Sequence, residues 1–339
     1  MMCAVAEHPR RAAFSATGIL TLVAGAALFA LVLWTFDTAK IWEGIVRLRW
    51  WVLVIIAIGG LRFLVRAIAW SACIEPPHRL SVADAFKGVV AGDMIGNITP
   101  LGPVLGEPAK AAYAKGTTPA GVVLTALAIE TFVYSLSAAA MIAAGTLALL
   151  FAFEPPAGLR VAGEVIVGAI LVLFLIAMAI LWRQPAVLSR MVPMFGARGT
   201  ARADKVRRLE QQIYTFASRR GAVVVGVIAC ELAFHALGVL EAHLTLTLLS
   251  PTGTPPPLLT SFILETFNRL FAVIFKFIPY QAGAGELGSG AVTEVLGLGA
   301  TVGVTVSVIR KIRMFAWALV GVALLIRKSS RPARARRVQ

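Results

Sequence analysis

Long apolar runs organise this chain, and polar residues collect between them. A bilayer core takes about 20 apolar residues per helix. Runs of that order lie at 12–36, 50–74, 119–152, 161–182, 221–249 and 258–277, and two shorter ones follow at 291–309 and 312–326. The pattern predicts an all-α polytopic membrane protein with about eight transmembrane helices. Segment 81–118 is also apolar, but Asp93, Asn97, Pro100, Gly102, Pro103, Gly106 and Pro108 interrupt it. Proline removes a backbone donor and clashes with the preceding turn, which excludes one straight helix. At membrane depth such backbone survives only inside protein or beside a water-filled cavity. A re-entrant or broken helix pair is expected there.

Composition supports the same class. The chain is 58% hydrophobic, 14% charged, and has a mean hydropathy of +0.83. Soluble proteins carry about 25% charged residues because their surface faces water. The net charge of +15 could suit nucleic acid, but its distribution argues against that. Nine basic residues lie between Arg183 and Arg220, and six more between Arg327 and Arg337. Both clusters flank apolar segments, as cytoplasmic loops do under the positive-inside rule, and both suit an anionic lipid surface. The run from Ala12 to Phe36 follows Arg10 and Arg11 and resembles a signal peptide, but at about 25 residues it exceeds an h-region. It reads as a retained first span.

The expected organisation is a cytoplasmic N-terminus at 1–11 and one transmembrane domain at 12–326, followed by a basic cytoplasmic tail at 327–339. The domain divides into halves at 12–182 and 221–326, joined by a cytoplasmic linker at 183–220. Within the linker Val206, Leu209, Ile213 and Phe216 recur at helical spacing among arginines, the pattern of an amphipathic surface helix. The expected location is a bacterial inner membrane. Eight crossings bring the tail back inside but leave Arg310-Lys311-Ile312-Arg313 in a loop facing out. Cys3, Cys73 and Cys230 show no metal or redox spacing, and no cofactor is expected.

A repeat marks the candidate site. Pro100 to Glu107 reads P-x5-G-E, and Pro279 to Glu286 reads the same in the second half. Gly/Pro-interrupted helices at matched positions of two halves point to a transporter's central site. A broken helix exposes N–H groups and a positive dipole end, which can hold an anionic headgroup. Glu107 and Glu286 are expected to approach one cavity from opposite halves.

These stretches also resemble a known family. Gly96-Asn97-Ile98-Thr99-Pro100 through Gly106-Glu107-Pro108-Ala109-Lys110 is similar to the first signature of the flippase-like family named after the transmembrane region of lysylphosphatidylglycerol synthase. Phe277-Ile278-Pro279 to Gly285-Glu286 resembles its second signature, and Arg310 with Gly321 in the last apolar helix a third. The likeness covers roughly residues 15–326. The linker Leu101 to Leu105 is more apolar than the family's usual one. The resemblance implies a membrane domain that moves or presents a phospholipid or isoprenoid-type lipid. Bifunctional members add a soluble domain that transfers an amino acid from tRNA to phosphatidylglycerol. This chain runs directly into its basic tail, so aminoacyl-transferase activity is expected to be absent.

Charges inside apolar runs complete the candidate set, since each costs about 2.5–3.5 kcal/mol at mid-membrane on insertion scales. Arg62 and Arg66 share one face of the second span. They either hold a lipid phosphate or snorkel to the interface. Glu265 and Arg269 stand four apart and can neutralise each other. Glu231 and His235 share another face, and together with Glu130 these are the candidates for coupling to protons or for plain interhelical hydrogen bonding. Their spacing matches no zinc motif. The expected substrate-binding residues are Arg66, Asn97, Pro100, Gly106, Glu107, Lys110, Pro279, Gly285, Glu286 and Arg310. The expected function is a non-enzymatic lipid translocase for a lipid with an anionic headgroup. The alternative is an intramembrane enzyme on a lipid phosphate, with Glu107 and Glu286 as acid and base.

Overall fold

A computed structural model describes residues 38–99, 102–114, 118–183, 211, 214–216, 219–250 and 254–329. The first apolar run, most of the 183–220 linker, the tail beyond Ser329, and Pro100 with Leu101 lie outside the described residues. So does most of the expected amphipathic surface helix.

Among the described residues every regular element is helical. The helices are α1 (Thr38–Leu48), α2 (Trp51–Ala72), α3 (Val82–Ile98), α4 (Gly102–Ala114), α5 (Ala120–Ala152), α6 (Ala157–Arg183), α7 (Gly221–Leu249), α8 (Leu258–Ile274), α9 (Ala284–Val295) and α10 (Ala300–Ser329). A short 3₁₀ turn, Pro279–Gln281, precedes α9. Four helices among the described residues are long and apolar enough to cross a membrane: α2, α5, α6 over Ala157–Ile180, and α7. The chain is a membrane protein, and α6 shows why most plainly. Leu171, Leu173 and Leu175 are 56%, 64% and 68% exposed, and an apolar helix bare on nearly every side needs lipid around it.

The segment 81–118 folds as two helices. Ser81 caps α3, its hydroxyl accepting the Asp84 backbone N–H at 3.1 Å. Helices α3 and α4 then run antiparallel on a seam of glycines. Gly92 faces the carbonyl of Gly106, and Gly96 faces Gly102 closely enough that a Cβ on Gly102 would overlap the Gly96 carbonyl. Small residues of this kind let helix backbones approach where lipid offers no hydrophobic drive.

The end of the chain departs from the expectation of two short spans at 291–309 and 312–326. Helix α9 stops at Val295, and α10 runs unbroken for 30 residues through the whole basic stretch. The stop has a local cause. Gly297 and Gly299 take φ of 74° and 82°, the left-handed region that ends helices, and Glu294 Oε2 accepts the first N–H of α10 from Ala300 at 2.7 Å. Arg310, Lys311 and Arg313 therefore sit in mid-helix inside the bundle, not in an outward loop. They do not break the helix because each finds a carboxylate.

Helix α10 is the spine of the fold. It packs antiparallel on α9, where Gly303 meets the Ser289 carbonyl, and crosses α3, where Gly321 meets Met94. On α2, Trp317 lies over Gly60 and donates its indole N–H to the Ile56 carbonyl at 2.9 Å. A Cβ at Gly303 would collide with the Ser289 backbone carbonyl as well as with Thr293 Oγ1, and the backbone cannot turn aside. Gly303→Ala should therefore destabilise by about 1–3 kcal/mol or more, read as earlier thermal unfolding in detergent.

Candidate functional site

Helices α2, α3, α5, α7, α8 and α10, with the turn before α9, enclose a polar cavity of about 180 Å³ in the bundle. Six cationic side chains line it: Arg62, Arg66, Arg269, Arg310, Lys311 and Arg313. The acidic lining residue is Asp93. The compensating glutamates stand behind the cations. Arg66 forms a two-pronged pair with Glu130 of α5, Nε to Oε1 at 2.8 Å and Nη2 to Oε2 at 3.0 Å. Glu265 of α8 serves three arginines: Arg310 at 2.5 Å, Arg269 at 2.9 Å and Arg62 at 3.5 Å. Glu241 of α7 accepts from Arg62 at 3.1 Å and lies 2.9 Å from Arg313 Nε, within ion-pair range but out of line for a hydrogen bond. Lys311 pairs with Glu286.

Aromatic faces support the same cations. Arg62 and Arg269 lie over the Phe234 ring at 4.5 and 4.9 Å, and Arg66 over Tyr134 at 4.4 Å. Such contacts are worth about 2 kcal/mol when desolvated. Glu130 and Glu265 have both carboxyl oxygens engaged, whereas Glu241 Oε1 has no hydrogen-bond partner among the described residues. Arg62 Nε, Arg269 Nε, Arg313 Nε and Asn268 Nδ2 are buried donors with no hydrogen-bond partner among the described residues, and all four belong to cavity-lining side chains. A buried donor left alone costs about 1–3 kcal/mol.

The backbone before α9 is strained at the cavity wall. Tyr280 and Gln281 have φ of 51° and 52°, and both line the cavity. Left-handed backbone in non-glycine residues costs about 1–3 kcal/mol each and persists where the surroundings impose it. Pro279 opens this turn and is buried; the Tyr280 ring is held against Phe315 at 4.5 Å.

The expected site residues fall into two groups. Arg66, Asn97, Gly285 and Arg310 line the cavity, as does Arg269 from the coupling set. Neither Glu107 nor Glu286 is among the lining residues, so neither carboxylate enters the cavity in this conformation. Glu286 is spent on structure: it accepts the Gly283 N–H at 2.9 Å at the start of α9 and neutralises Lys311. Glu107 pairs within α4 to Lys110 at 2.6 Å, and Gly106 belongs to the glycine seam. Pro100 lies outside the described residues. Arg62 and Arg66 do not snorkel; both are locked in buried pairs. Sequence reasoning missed Lys311, Arg313, Asn268, Tyr134, Gln281 and the role of Asp93. The three-residue spacing of Arg310 and Arg313 and the four-residue spacing of Asp93 and Asn97 were the available signals.

A second, apolar space of about 900 Å³ runs between α5 and α7, reaching Phe174 of α6 and Phe262 of α8. Tyr134, Phe234 and His235 stand between it and the polar cavity, with ring centroids 5.6–6.2 Å apart. No group of His, Cys, Asp and Glu among the described residues could hold a metal ion.

No curated protein and no solved structure matches the chain. A family model does, described as the lysylphosphatidylglycerol synthase TM region, and it matches residues 18–323. The chain belongs to that family, whose members handle membrane lipids.

Proposed function

We propose that this protein is a lipid translocase of a bacterial inner membrane, moving a phospholipid or isoprenoid-type lipid between leaflets without altering it chemically. The observation that carries the reading is a cavity lined by six cationic side chains and one acid, where Arg62, Arg269, Arg313 and Asn268 each keep a buried donor without a hydrogen bond among the described residues. A phosphate-bearing headgroup fits that chemistry, because guanidinium forks match phosphate oxygens and strengthen in a dry site. The adjoining apolar space supports it from the other side, since an amphipathic lipid brings hydrocarbon wherever its headgroup goes. The broken pair α3–α4 and the broken entry to α9 supply non-helical backbone beside a polar cavity, where it is tolerated at membrane depth. The N-terminus, the 183–220 linker and the tail belong on the cytoplasmic side in this reading.

Reconstitution tests it. A fluorescent phospholipid in the inner leaflet of proteoliposomes should become accessible to an external quencher at a protein-dependent rate, and be recovered unmodified. Arg269→Gln keeps bulk but loses a charged donor, and should slow exchange by about 10–100-fold, the value of one charge-assisted hydrogen bond. Recovery of a hydrolysed or otherwise modified lipid, with exchange at the protein-free rate, would replace the translocase with an intramembrane enzyme on a lipid phosphate.

A further inference from the structure

Glu231 is the one glutamate on the inner face of α7 that the cation network leaves out. It is 0% exposed, and neither carboxyl oxygen has a hydrogen-bond partner among the described residues. Glu241, ten residues further on the same helix, shows what an ionised carboxylate looks like here, held between Arg62 and Arg313. An ionised carboxylate without donors is too costly to keep in such a place; the group stays as the neutral acid.

Its surroundings offer one way to ionise. From α2, Arg66 acts on it, with Cys73 at the helix end; α5 brings Glu130, α8 Arg269 and α4 Lys110, and Cys230 adjoins it on α7. The basic residues of α10 are engaged elsewhere, Arg310 with Glu265 and Arg313 with Glu241. Helix α1 meets α7 at the far end, where Gly44 lies against Leu249. Arg269 is committed to Glu265 and to the Tyr134 hydroxyl at 3.0 Å. Among the described residues Arg66 has a single carboxylate partner, Glu130, and it lies within electrostatic reach of Glu231. One turn along α7 from Glu231, His235 Nε2 meets Ser137 of α5 at 3.0 Å, and its Nδ1 has no hydrogen-bond partner among the described residues. Polar groups thus continue from Glu231 to the wall of the apolar space.

We propose that Glu231 is a proton-binding site, neutral in this conformation, and that its proton passes to Glu130 as Arg66 turns from Glu130 to the Glu231 carboxylate, so that one of the two acids is always neutral and the other always paired. The exchange moves one guanidinium between α5 and α7, the two helices that frame the apolar space. Taken with the translocase reading, on which this last step rests, proton binding sets the hold of those helices on each other and couples lipid movement to the proton gradient.

The test uses the full chain in lipid nanodiscs. The infrared difference spectrum between wild type and Glu231→Gln at neutral pH should contain the carbonyl band of a protonated carboxyl. Glu231→Asp should keep a band of that kind. Glu130→Gln, which leaves Arg66 free to turn, should lose the Glu231 band at neutral pH. No such band in the wild type, or a band that survives unchanged in Glu130→Gln, overturns the proposal. Leaflet exchange in proteoliposomes separates the two readings: a protein that binds the proton but never accelerates exchange keeps the proton site and loses the translocase. Exchange that is protein-dependent but responds equally to an imposed pH gradient in wild type and Glu231→Gln overturns the coupling.

Discussion

Replacing Glu265 by Gln is expected to unfold the centre of this protein more readily than any other single change in the cavity. Its carboxylate is 1% exposed and answers Arg62, Arg269 and Arg310 at once. Arg62 keeps Glu241 and Arg269 keeps the Tyr134 hydroxyl, but Arg310 loses the carboxylate it is paired with. Removing one partner of a buried pair costs about 3–5 kcal/mol, because the other charge remains in low dielectric. A protein has about 5–15 kcal/mol of stability in all. Thermal unfolding in detergent should show the loss directly, and the Glu265→Gln/Arg310→Gln double variant should be less destabilised than the two singles added together. Additive effects would mean that the pair is not coupled in the folded protein.

Lys311→Met should come next. It strands Glu286, which is 0% exposed and would retain, among the described residues, the Gly283 N–H as its one hydrogen-bond donor. The expected cost is again about 3–5 kcal/mol, now falling on the α9–α10 contact and the strained turn before it. The informative variant is Glu286→Gln with Lys311→Met. A neutral amide can still accept the Gly283 N–H, and the methionine fills the lysine's volume, so most of the loss should be recovered. Replacing whole buried pairs by uncharged groups of similar size is often neutral. Failure of the double variant to recover would show that the lysine's charge is needed for something besides Glu286, and the cavity it lines is the place to look.

The periodic part of the fold was legible because lipid imposes a simple rule on sequence. The long runs of α2, α5, α6 and α7 carry almost no charge and read directly as helices. The broken segment 81–118 was legible from its prolines and glycines, which act on the backbone locally. The last helix was not. Its charges resemble a loop in a one-dimensional reading, because the carboxylates that neutralise Arg310 and Arg313 lie on α8 and α7, dozens of residues away in sequence. The site divides in the same way. Glu265 with Arg269 is visible as a four-residue spacing on one helix, whereas Arg62 with Glu241 spans 179 residues and nothing local announces it. The repeated Gly-Glu pairs led to the turn before α9, where their two residues part ways. Gly285 faces the cavity, while the Glu286 side chain folds back to close its own helix start.

The placement of three basic residues within four positions of α10 has a mechanical consequence. Arg310, Lys311 and Arg313 reach carboxylates on three different helices: Glu265 on α8, Glu286 on α9 and Glu241 on α7. A helix slides or ratchets by about 5.4 Å per turn, and a step of that size by α10 would break all three attachments together, with no intermediate that keeps two. Helix α10 is therefore riveted as one piece to its neighbours, and piecemeal motion along its axis is closed to it. In the translocase reading, a motion that opens the protein to one side or the other would pivot around that rod, with α10 as the fixed frame and the helices around the apolar space as the moving parts.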